Sequence, residues 1–122
     1  MSDTLLSDED FEAQLPTPVG YKLLIALPEV EKTFASGILK SEATLHQETV
    51  LSIVGLVLDI GGQAYKDPDR YPTGPWCKVG DYVIFRANTG TRIKVNGKEY
   101  RFLNDDSIDG VVSDPRGIAR AA

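Results

Sequence analysis

Residues 21–27 follow a pattern with a period of two, which predicts a β-strand with one apolar side, Tyr21, Leu23, Ile25 and Leu27, and one mixed side, Lys22, Leu24 and Ala26. Residues 50–60 form a nearly unbroken apolar run, which predicts a strand that is covered on both faces. Gly55 lies in the middle of that run and predicts a bulge or a sharp bend. No segment of the sequence carries a long 3.6-residue period, so the chain is predicted to be all-β.

The C-terminal half of the sequence predicts further strands. Residues 78–85 are typical of a turn that leads into a strand rich in aromatic and β-branched residues. Residues 104–107 predict a turn or a single helical turn, with an Asn or Asp as its cap. Residues 108–112 predict a short closing strand.

Asn96-Gly97 is the strongest local signal in the sequence, because it lies between two arms of alternating apolar and polar residues. Both residues tolerate positive φ, so the pair predicts a two-residue type I′ hairpin. Such a turn places Ile93 opposite Tyr100 on one face of the hairpin.

The connection formed by residues 29–49 is long for a small domain, and such connections are usually functional or disordered. Ile38 and Leu39 stand near its middle, directly after Gly37, which lets the chain turn. From the residues alone, two interpretations stay open. The apolar pair is either an exposed contact site for a partner or an ordinary pair tucked against the core.

A second long connection, residues 62–78, contains three prolines and is therefore predicted to be stiff and rich in turns. Tyr65, Tyr71 and Trp76 are unusual for a solvated loop. The favoured interpretation is that Tyr65 and Trp76 pack on the core of the domain.

Composition then limits the possible functions. A chain of 122 residues accommodates one domain with one core. The formal net charge of −5 argues against a surface that binds phosphates, so no nucleic-acid partner is predicted. No apolar run is long enough for a membrane span, and none is predicted. The single cysteine, Cys77, cannot form an internal disulfide, which favours a reducing, cytoplasmic location.

The sequence offers little catalytic chemistry. His46 is the only histidine, and with Glu42 and Glu48 it would form a metal site only if that loop were helical, which its pattern does not predict. Nothing in the sequence places Cys77 beside His46 as an activated nucleophile. No enzyme activity, catalytic residue, metal or cofactor is therefore predicted.

Several of these segments, in this order, resemble the GroES-like co-chaperonins, the chaperonin 10 kDa family. Residues 78–85, Lys-Val-Gly-Asp-Tyr-Val-Ile-Phe, are close to the family signature Val-Lys-Val-Gly-Asp-x-Val-x-Phe and are the most specific match. Residues 54–61 resemble the family's Gly-x-Val-x-x-Val-Gly strand, and residues 21–27 resemble its first strand. Residues 29–49 stand where the family has its mobile loop, and residues 62–78 have about the length of its roof hairpin.

The resemblance implies a small irregular β-barrel with a long mobile loop and a roof hairpin, assembled into a ring of seven subunits. Such a ring caps a GroEL-type chaperonin and encloses an unfolded substrate protein for ATP-dependent folding, while the chaperonin hydrolyses the ATP. The implied domains are a flexible acidic N-terminal tail (residues 1–18), the barrel (residues 19–112) and a flexible C-terminal tail (residues 113–122). From the residues alone, the N-terminal segment could also contain a short helix near residues 8–13.

The resemblance also assigns roles to particular residues. The implied chaperonin-binding residues are Gly37, Ile38, Leu39 and Lys40. The candidates for the roof of the enclosed cavity are Tyr65, Tyr71 and Trp76. The candidates for the contact between subunits are Tyr21, Leu23, Ile108, Val111 and Val112.

The sequence departs from the family in three places. Lys40 stands where the family usually has a third apolar residue. Asp109 and Gly110 interrupt the closing strand. Both terminal segments lie outside the usual limits of the family. Such divergence would be unsurprising in a viral member that serves a host or viral chaperonin, and a viral member would act in the host cytoplasm.

Two other classes of function remain as alternatives. One is a monomeric β-barrel module that binds single-stranded nucleic acid through Arg70 and the aromatic residues of the second connection. The other is a detached fragment of an enzyme domain, because a related barrel occurs in medium-chain alcohol dehydrogenases. The second alternative lacks clustered zinc ligands in the sequence.

Overall fold

The computed structural model describes residues 14–28, 32–50 and 52–121. These residues form six β-strands, one α-helix and one 3-10 helix. In chain order they are β1 (Lys22–Ala26), α1 (Glu42–Val50), β2 (Val54–Ile60), β3 (Tyr82–Phe85), β4 (Thr91–Val95), β5 (Lys98–Asn104), the 3-10 helix (Asp105–Ser107) and β6 (Ile108–Val112). Most of the predicted acidic N-terminal segment, with the possible helix near residues 8–13, lies outside the described residues.

All six strands join one antiparallel sheet in the order β4-β5-β1-β2-β3-β6. In a flat sheet, β5 and β6 would lie about 19 Å apart, because four steps of about 4.8 Å separate them. Only the 3-10 helix joins the two strands, and its four Cα–Cα steps span at most about 14 Å. The sheet must therefore curl until β6 lies close to β5. This geometry confirms the predicted small all-β fold.

The core lies inside the curled sheet and includes side chains from strands that are distant in sequence. Leu23, Ile25, Val83 and Leu103 are all fully buried there. Leu24 is also buried, although it points to the opposite face of β1 from its neighbours. The first strand is thus covered on both faces, whereas its alternating sequence predicted one apolar and one mixed side.

The predicted irregularity in the apolar run is present, but it does not lie at the glycine. Leu24 pairs with Asp59 and the next residue, Ile25, pairs with Val57, so Leu58 is the extra residue of a β-bulge. The bulge bends β2 where it pairs with β1, and this bend helps the sheet to curl.

Gly55 instead allows two strands to approach closely. It pairs in regular register with Val83 of β3. A Cβ atom at this position would collide with Cγ2 of Ile25 and would lie 2.8 Å from the carbonyl oxygen of Ala26. Only glycine leaves this space free.

The predicted Asn96-Gly97 hairpin is confirmed. Asn96 has φ 53° and Gly97 has φ 81°, as a type I′ turn requires. Ile93 pairs with Tyr100 in the register that the two-residue turn predicts.

The chain contains a helix where the sequence predicted a loop. α1 occupies the second half of the 29–49 connection, and β2 begins at Val54 rather than at residue 50. Ser41 caps the helix, because its Oγ accepts a hydrogen bond of 3.1 Å from the backbone N–H of Thr44. Polar and apolar residues are mixed around α1, so the sequence shows no 3.6-residue pattern. The capping serine was the feature of the sequence that could have indicated this helix.

Residues 62–78 fold as successive turns, and no pair of strands forms among them. This segment therefore differs from the hairpin that the family resemblance implies. Its three prolines lack the N–H groups that a strand ladder needs, and Tyr65 has a positive φ of 61°. The predicted turn-rich character of the segment agrees with the structure.

The C-terminal segment continues past β6 with a bend at Ser113 and a single turn at Arg116 and Gly117. Arg116 makes a two-pronged contact with Asp114, with Nε and Nη2 donating to the carboxylate at 2.7–3.0 Å. Within the three described ranges, no helix has the length and apolar content needed to cross a bilayer.

Candidate functional site

The long connection forms a small β-hairpin at residues 32–40, which we call the docking hairpin after the chaperonin-binding role that the family resemblance implies for residues 37–40. Thr33 and Leu39 form a β-bridge. The backbone N–H of Phe34 donates to the carbonyl of Ile38 at 2.9 Å, and the N–H of Gly37 donates to the carbonyl of Phe34 at 2.8 Å. This is a three-residue hairpin loop with a glycine bulge, and Gly37 has the positive φ of 90° that such a loop requires.

The tip of the docking hairpin presents apolar side chains to solvent. Ile38 is 66% exposed and Leu39 is 74% exposed. These values decide between the two interpretations of the pair within this subunit, because neither side chain is tucked against the core. Phe34, on the opposite arm, is 46% exposed.

The two exposed aliphatic residues face opposite sides of the docking hairpin. Leu39 shares a face with its partner Thr33, because directly opposed residues of an antiparallel pair point to the same side. Successive residues alternate, so Ile38 and Lys40 share the other face with Phe34. Each face therefore carries exposed apolar surface.

Lys40 is turned inward, away from the tip. Its side chain is only 10% exposed, and its Nζ lies 2.9 Å from a carboxylate oxygen of Glu48 on α1. The same ammonium group lies 5.5 Å from the centroid of the Phe34 ring, within the range of a cation–π interaction. Lys40 thus connects the docking hairpin to the helix that follows it.

Formation of α1 places Glu42 and His46 one helical turn apart, which was the condition for a metal site. Over residues 14–28, 32–50 and 52–121, however, no group of three or more His, Cys, Asp or Glu side chains is arranged to hold a metal ion.

The aromatic residues of the second connection pack on one another. The Tyr71 ring meets Tyr65 and Trp76 edge-on, with centroid distances of 4.9 Å and 5.0 Å. Tyr65 and Tyr71 are buried, whereas Trp76 is 44% exposed. The predicted packing on the core is therefore present for Tyr65, but the indole of Trp76 remains partly in solvent. Trp76 is the one member of this trio that exposes a substantial part of its side chain.

Asp105 fixes the aromatic residues to the end of β5. Its carboxylate is buried and accepts a hydrogen bond of 3.0 Å from the backbone N–H of Tyr65. Burial, together with the nearby Asp105 carboxylate, raises the pKa of Tyr71 to about 12. Burial also raises the pKa of Tyr65, and its contact with Cys77 adds to the shift. Both groups stay uncharged at neutral pH and have no feature of a catalytic acid or base.

The residues predicted to join subunits divide into two groups. Leu23 and Ile108 are buried in the core of the single subunit. Tyr21 is 57% exposed and Val111 is 44% exposed, while Val112 is partly buried. Only the second group presents surface to a neighbour.

The geometry does not support a nucleic-acid module. Bases stack on exposed aromatic faces, but Tyr65 and Tyr71 are buried. Arg70 forms an ion pair with Asp106 at 2.5 Å and lies over the Tyr71 ring, 5.6 Å from its centroid. The predicted stacking surface is therefore reduced to Trp76.

The described residues form a small antiparallel barrel that presents an apolar hairpin to solvent. Comparison with known proteins identifies its family. Residues 16–112 match the family described as "Chaperonin 10 Kd subunit". The chain is 33% identical to the co-chaperonin GroES of Bacillus sp. (strain PS3) over 99 residues, which cover 78% of this chain and 96% of that protein. It is 31% identical to the co-chaperonin GroES of Parageobacillus thermoglucosidasius over the same shares of the two chains. It is 30% identical over 96 residues to that of Staphylococcus aureus (strain JH9), covering 78% and 96%. The chain belongs to the chaperonin 10 kDa family.

Sequence reasoning missed three residues of the docking region. Phe34 was not recognised as part of the exposed surface, although it is an aromatic residue within a polar loop. Glu48 was considered only as a metal ligand and not as a partner of Lys40. Ser41 was not recognised as a helix cap, although a serine before an acidic residue is a common start signal.

Proposed function

We propose that this protein is the lid of a GroEL-type chaperonin. A ring of subunits caps the open end of the chaperonin and encloses an unfolded substrate protein for ATP-dependent folding. The chaperonin hydrolyses ATP, and the lid contributes no catalytic group. Membership of the chaperonin 10 kDa family supports this proposal, and so do relatives that are named co-chaperonins.

The exposure of Ile38 and Leu39 at the tip of the docking hairpin is the observation that carries the proposal. Full burial of each such side chain in an apolar groove is worth about 1.5–3 kcal/mol. Fixing a loop on its partner offsets several kcal/mol of that gain, so a single hairpin binds weakly. Several hairpins on one ring bind together through their high effective concentration, and the complex can still dissociate during each cycle.

The ring itself is part of the proposal. Tyr21, Val111 and Val112 supply the contact between neighbours, because they present surface outside the barrel core. β6 is an edge strand of the sheet, and an edge strand can pair with a strand of another subunit. We propose seven subunits per ring and a cytoplasmic location, with Trp76 facing the enclosed cavity.

The docking role is tested with the double variant Ile38→Ser/Leu39→Ser. We expect it to lose ATP-dependent binding to a GroEL-type chaperonin in surface plasmon resonance while keeping the circular dichroism spectrum of the parent. Val79→Ser is the matched control, because Val79 is also an exposed aliphatic residue, at 56%, but lies outside the docking hairpin. Unchanged binding by the double variant would refute the assignment of the docking residues. No binding by the parent protein would refute the lid function itself.

The ring is tested by native mass spectrometry over a series of protein concentrations. The subunit mass is 13.3 kDa, so a ring of seven has a mass of about 93 kDa, seven times that of the subunit. Val111→Lys introduces a charge at the proposed contact and should shift the population to monomers. A parent protein that stays monomeric at all concentrations, with and without the chaperonin, would contradict the ring.

A further inference from the structure

Phe34 and Ile38 lie opposite each other across the docking hairpin. Their backbones are joined by the 2.9 Å hydrogen bond from Phe34 N–H to Ile38 C=O. Both side chains point to the same face and both are substantially exposed, at 46% and 66%. This face of the docking hairpin therefore presents an aromatic ring beside an aliphatic side chain, rather than a single aliphatic residue.

Lys40 cannot supply the third apolar contact that its place in the sequence suggests. Its ammonium group is paired with Glu48, and its side chain is 10% exposed. Transfer of that charge into an apolar groove would require loss of both the ion pair and its hydration. The ammonium group of Lys40 instead lies 5.5 Å from the centroid of the Phe34 ring, and its ion pair with Glu48 joins it to α1.

We infer that Phe34 is the third apolar docking residue of this hairpin and that the Lys40–Glu48 ion pair is its positioning device. The inference rests on the proposed lid function and assigns two further residues to the same contact. The partner surface is an apolar groove of the chaperonin that is wide enough to accept an aromatic ring. Lys40 and Glu48 act through Phe34 and make no contact with the groove.

The arrangement also explains how a short apolar pair can suffice. The backbone hydrogen bonds of the docking hairpin and the contact of Lys40 with α1 order the loop before it meets its partner. Pre-ordering reduces the entropy that is lost on binding. The affinity of the ring should therefore depend on Glu48, a residue on a separate element from the docking tip.

The contact role of Phe34 is tested with Phe34→Ser and Phe34→Leu in the full-length protein. Removal of a half-exposed aromatic ring that becomes buried should weaken binding at least fivefold, since about 1 kcal/mol is lost for each loop. Phe34→Leu restores apolar surface and should recover most of the affinity. Thr33→Ser is the matched control, because Thr33 is exposed on the other face of the same arm.

The positioning role is tested with Glu48→Gln, Lys40→Met and the double variant. Each single variant should weaken chaperonin binding by about two- to fivefold, as expected for a partly exposed ion pair. The double variant should be no weaker than either single variant, because both changes break the same contact. In the free protein, NMR signals of the Lys40 εCH₂ group should show the upfield shift caused by the Phe34 ring, and Glu48→Gln should reduce it.

The outcomes separate this inference from the proposed function. If the parent binds the chaperonin and Phe34→Ser binds equally well, the role of Phe34 is refuted and the lid function stands. If the effects of Lys40→Met and Glu48→Gln add independently, or if the εCH₂ signals show no ring-current shift, the positioning device is refuted. If the parent does not bind at all, the lid function fails, and the NMR measurement still decides whether Lys40 is held over Phe34.

Discussion

Gly55→Ala should destabilise this protein strongly although it adds a single methyl group. Gly55 lies in β2, where this strand runs close beside β1. The new Cβ would collide with Cγ2 of Ile25 and would lie 2.8 Å from the backbone carbonyl of Ala26. Ile25 is fully buried, and the carbonyl belongs to a strand that is paired on both sides.

The size of the effect follows from these two neighbours. Overpacking of a well-packed core usually costs about 1–3 kcal/mol, and the upper end applies here because neither neighbour is the end of a mobile side chain. Replacement of glycine by alanine also stabilises by about 0.4–1 kcal/mol, because it reduces the freedom of the unfolded chain. We expect a net loss of about 2–3 kcal/mol in the free energy of unfolding.

Gly110→Ala provides the matched control. Gly110 also lies in a strand, and a Cβ there would meet the Ile84 side chain at 3.8–3.9 Å, an ordinary contact distance. We expect this variant to be neutral or slightly stabilising. Gly62→Ala is a second control outside any strand, because a Cβ at Gly62 would have no atom within 4 Å.

The assay is urea unfolding followed by circular dichroism, at one fixed subunit concentration because assembly contributes to the apparent stability. With a slope of about 1–2 kcal/mol per M urea, the midpoints of Gly55→Ala and Gly110→Ala should differ by at least about 1 M. Equal midpoints for the two variants would show that β1 and β2 are not as close at Gly55 as the structure has them.

Two further predictions concern the site and its surroundings. Ser41→Ala removes the cap of α1 and should destabilise that helix by about 1 kcal/mol, which would be measured as faster hydrogen exchange of the α1 amides. Ser41→Asp retains a capping oxygen, so its α1 amides should exchange as slowly as those of the parent. Equal exchange rates in Ser41→Ala and the parent would contradict the capping role. Raised pKa values of Tyr65 and Tyr71 mean that the folded state resists ionisation of these phenols. The contribution of these two phenols to stability should therefore be constant up to about pH 10, the ordinary tyrosine pKa, and fall as the pH rises from there towards 12 and beyond. Absorbance at 295 nm together with circular dichroism measures this loss, and a Tyr65→Phe/Tyr71→Phe variant with an unchanged alkaline loss would contradict this reasoning.

Strands with strong local signals could be predicted from the sequence. Asn96-Gly97 determines its hairpin locally, because only residues that accept positive φ fit a two-residue turn, and its register follows without tertiary information. The place of the β-bulge could not be predicted, because it depends on how β2 meets β1 and not on a local pattern. Gly55 was a correct sign of an unusual backbone position, but the close approach that requires it involves Ile25, which lies thirty positions earlier.

Ile38 and Leu39 could be chosen from the sequence as candidate docking residues, since an apolar pair after a glycine within a polar loop is a local signal. Their supports could not be predicted in the same way. Lys40 and Glu48 are eight positions apart and meet only because Ser41 starts a helix between them. The raised pKa of Tyr71 likewise depends on burial and on Asp105, which lies in the 3-10 helix far along the chain.

The position of β1 has a consequence for the time course of synthesis. β1 lies between β2 and β5, and its partner in β5 is distant in sequence: Lys22 and Asn104, which face each other across the pair, are 82 positions apart. At about 5–20 residues per second, a ribosome needs about 4–16 s to make the intervening chain. During that interval only β2 is available to pair with β1, on one of its two edges, and the barrel cannot close. A protein of the co-chaperonin family thus reaches its own folded state only after almost its entire barrel has been made.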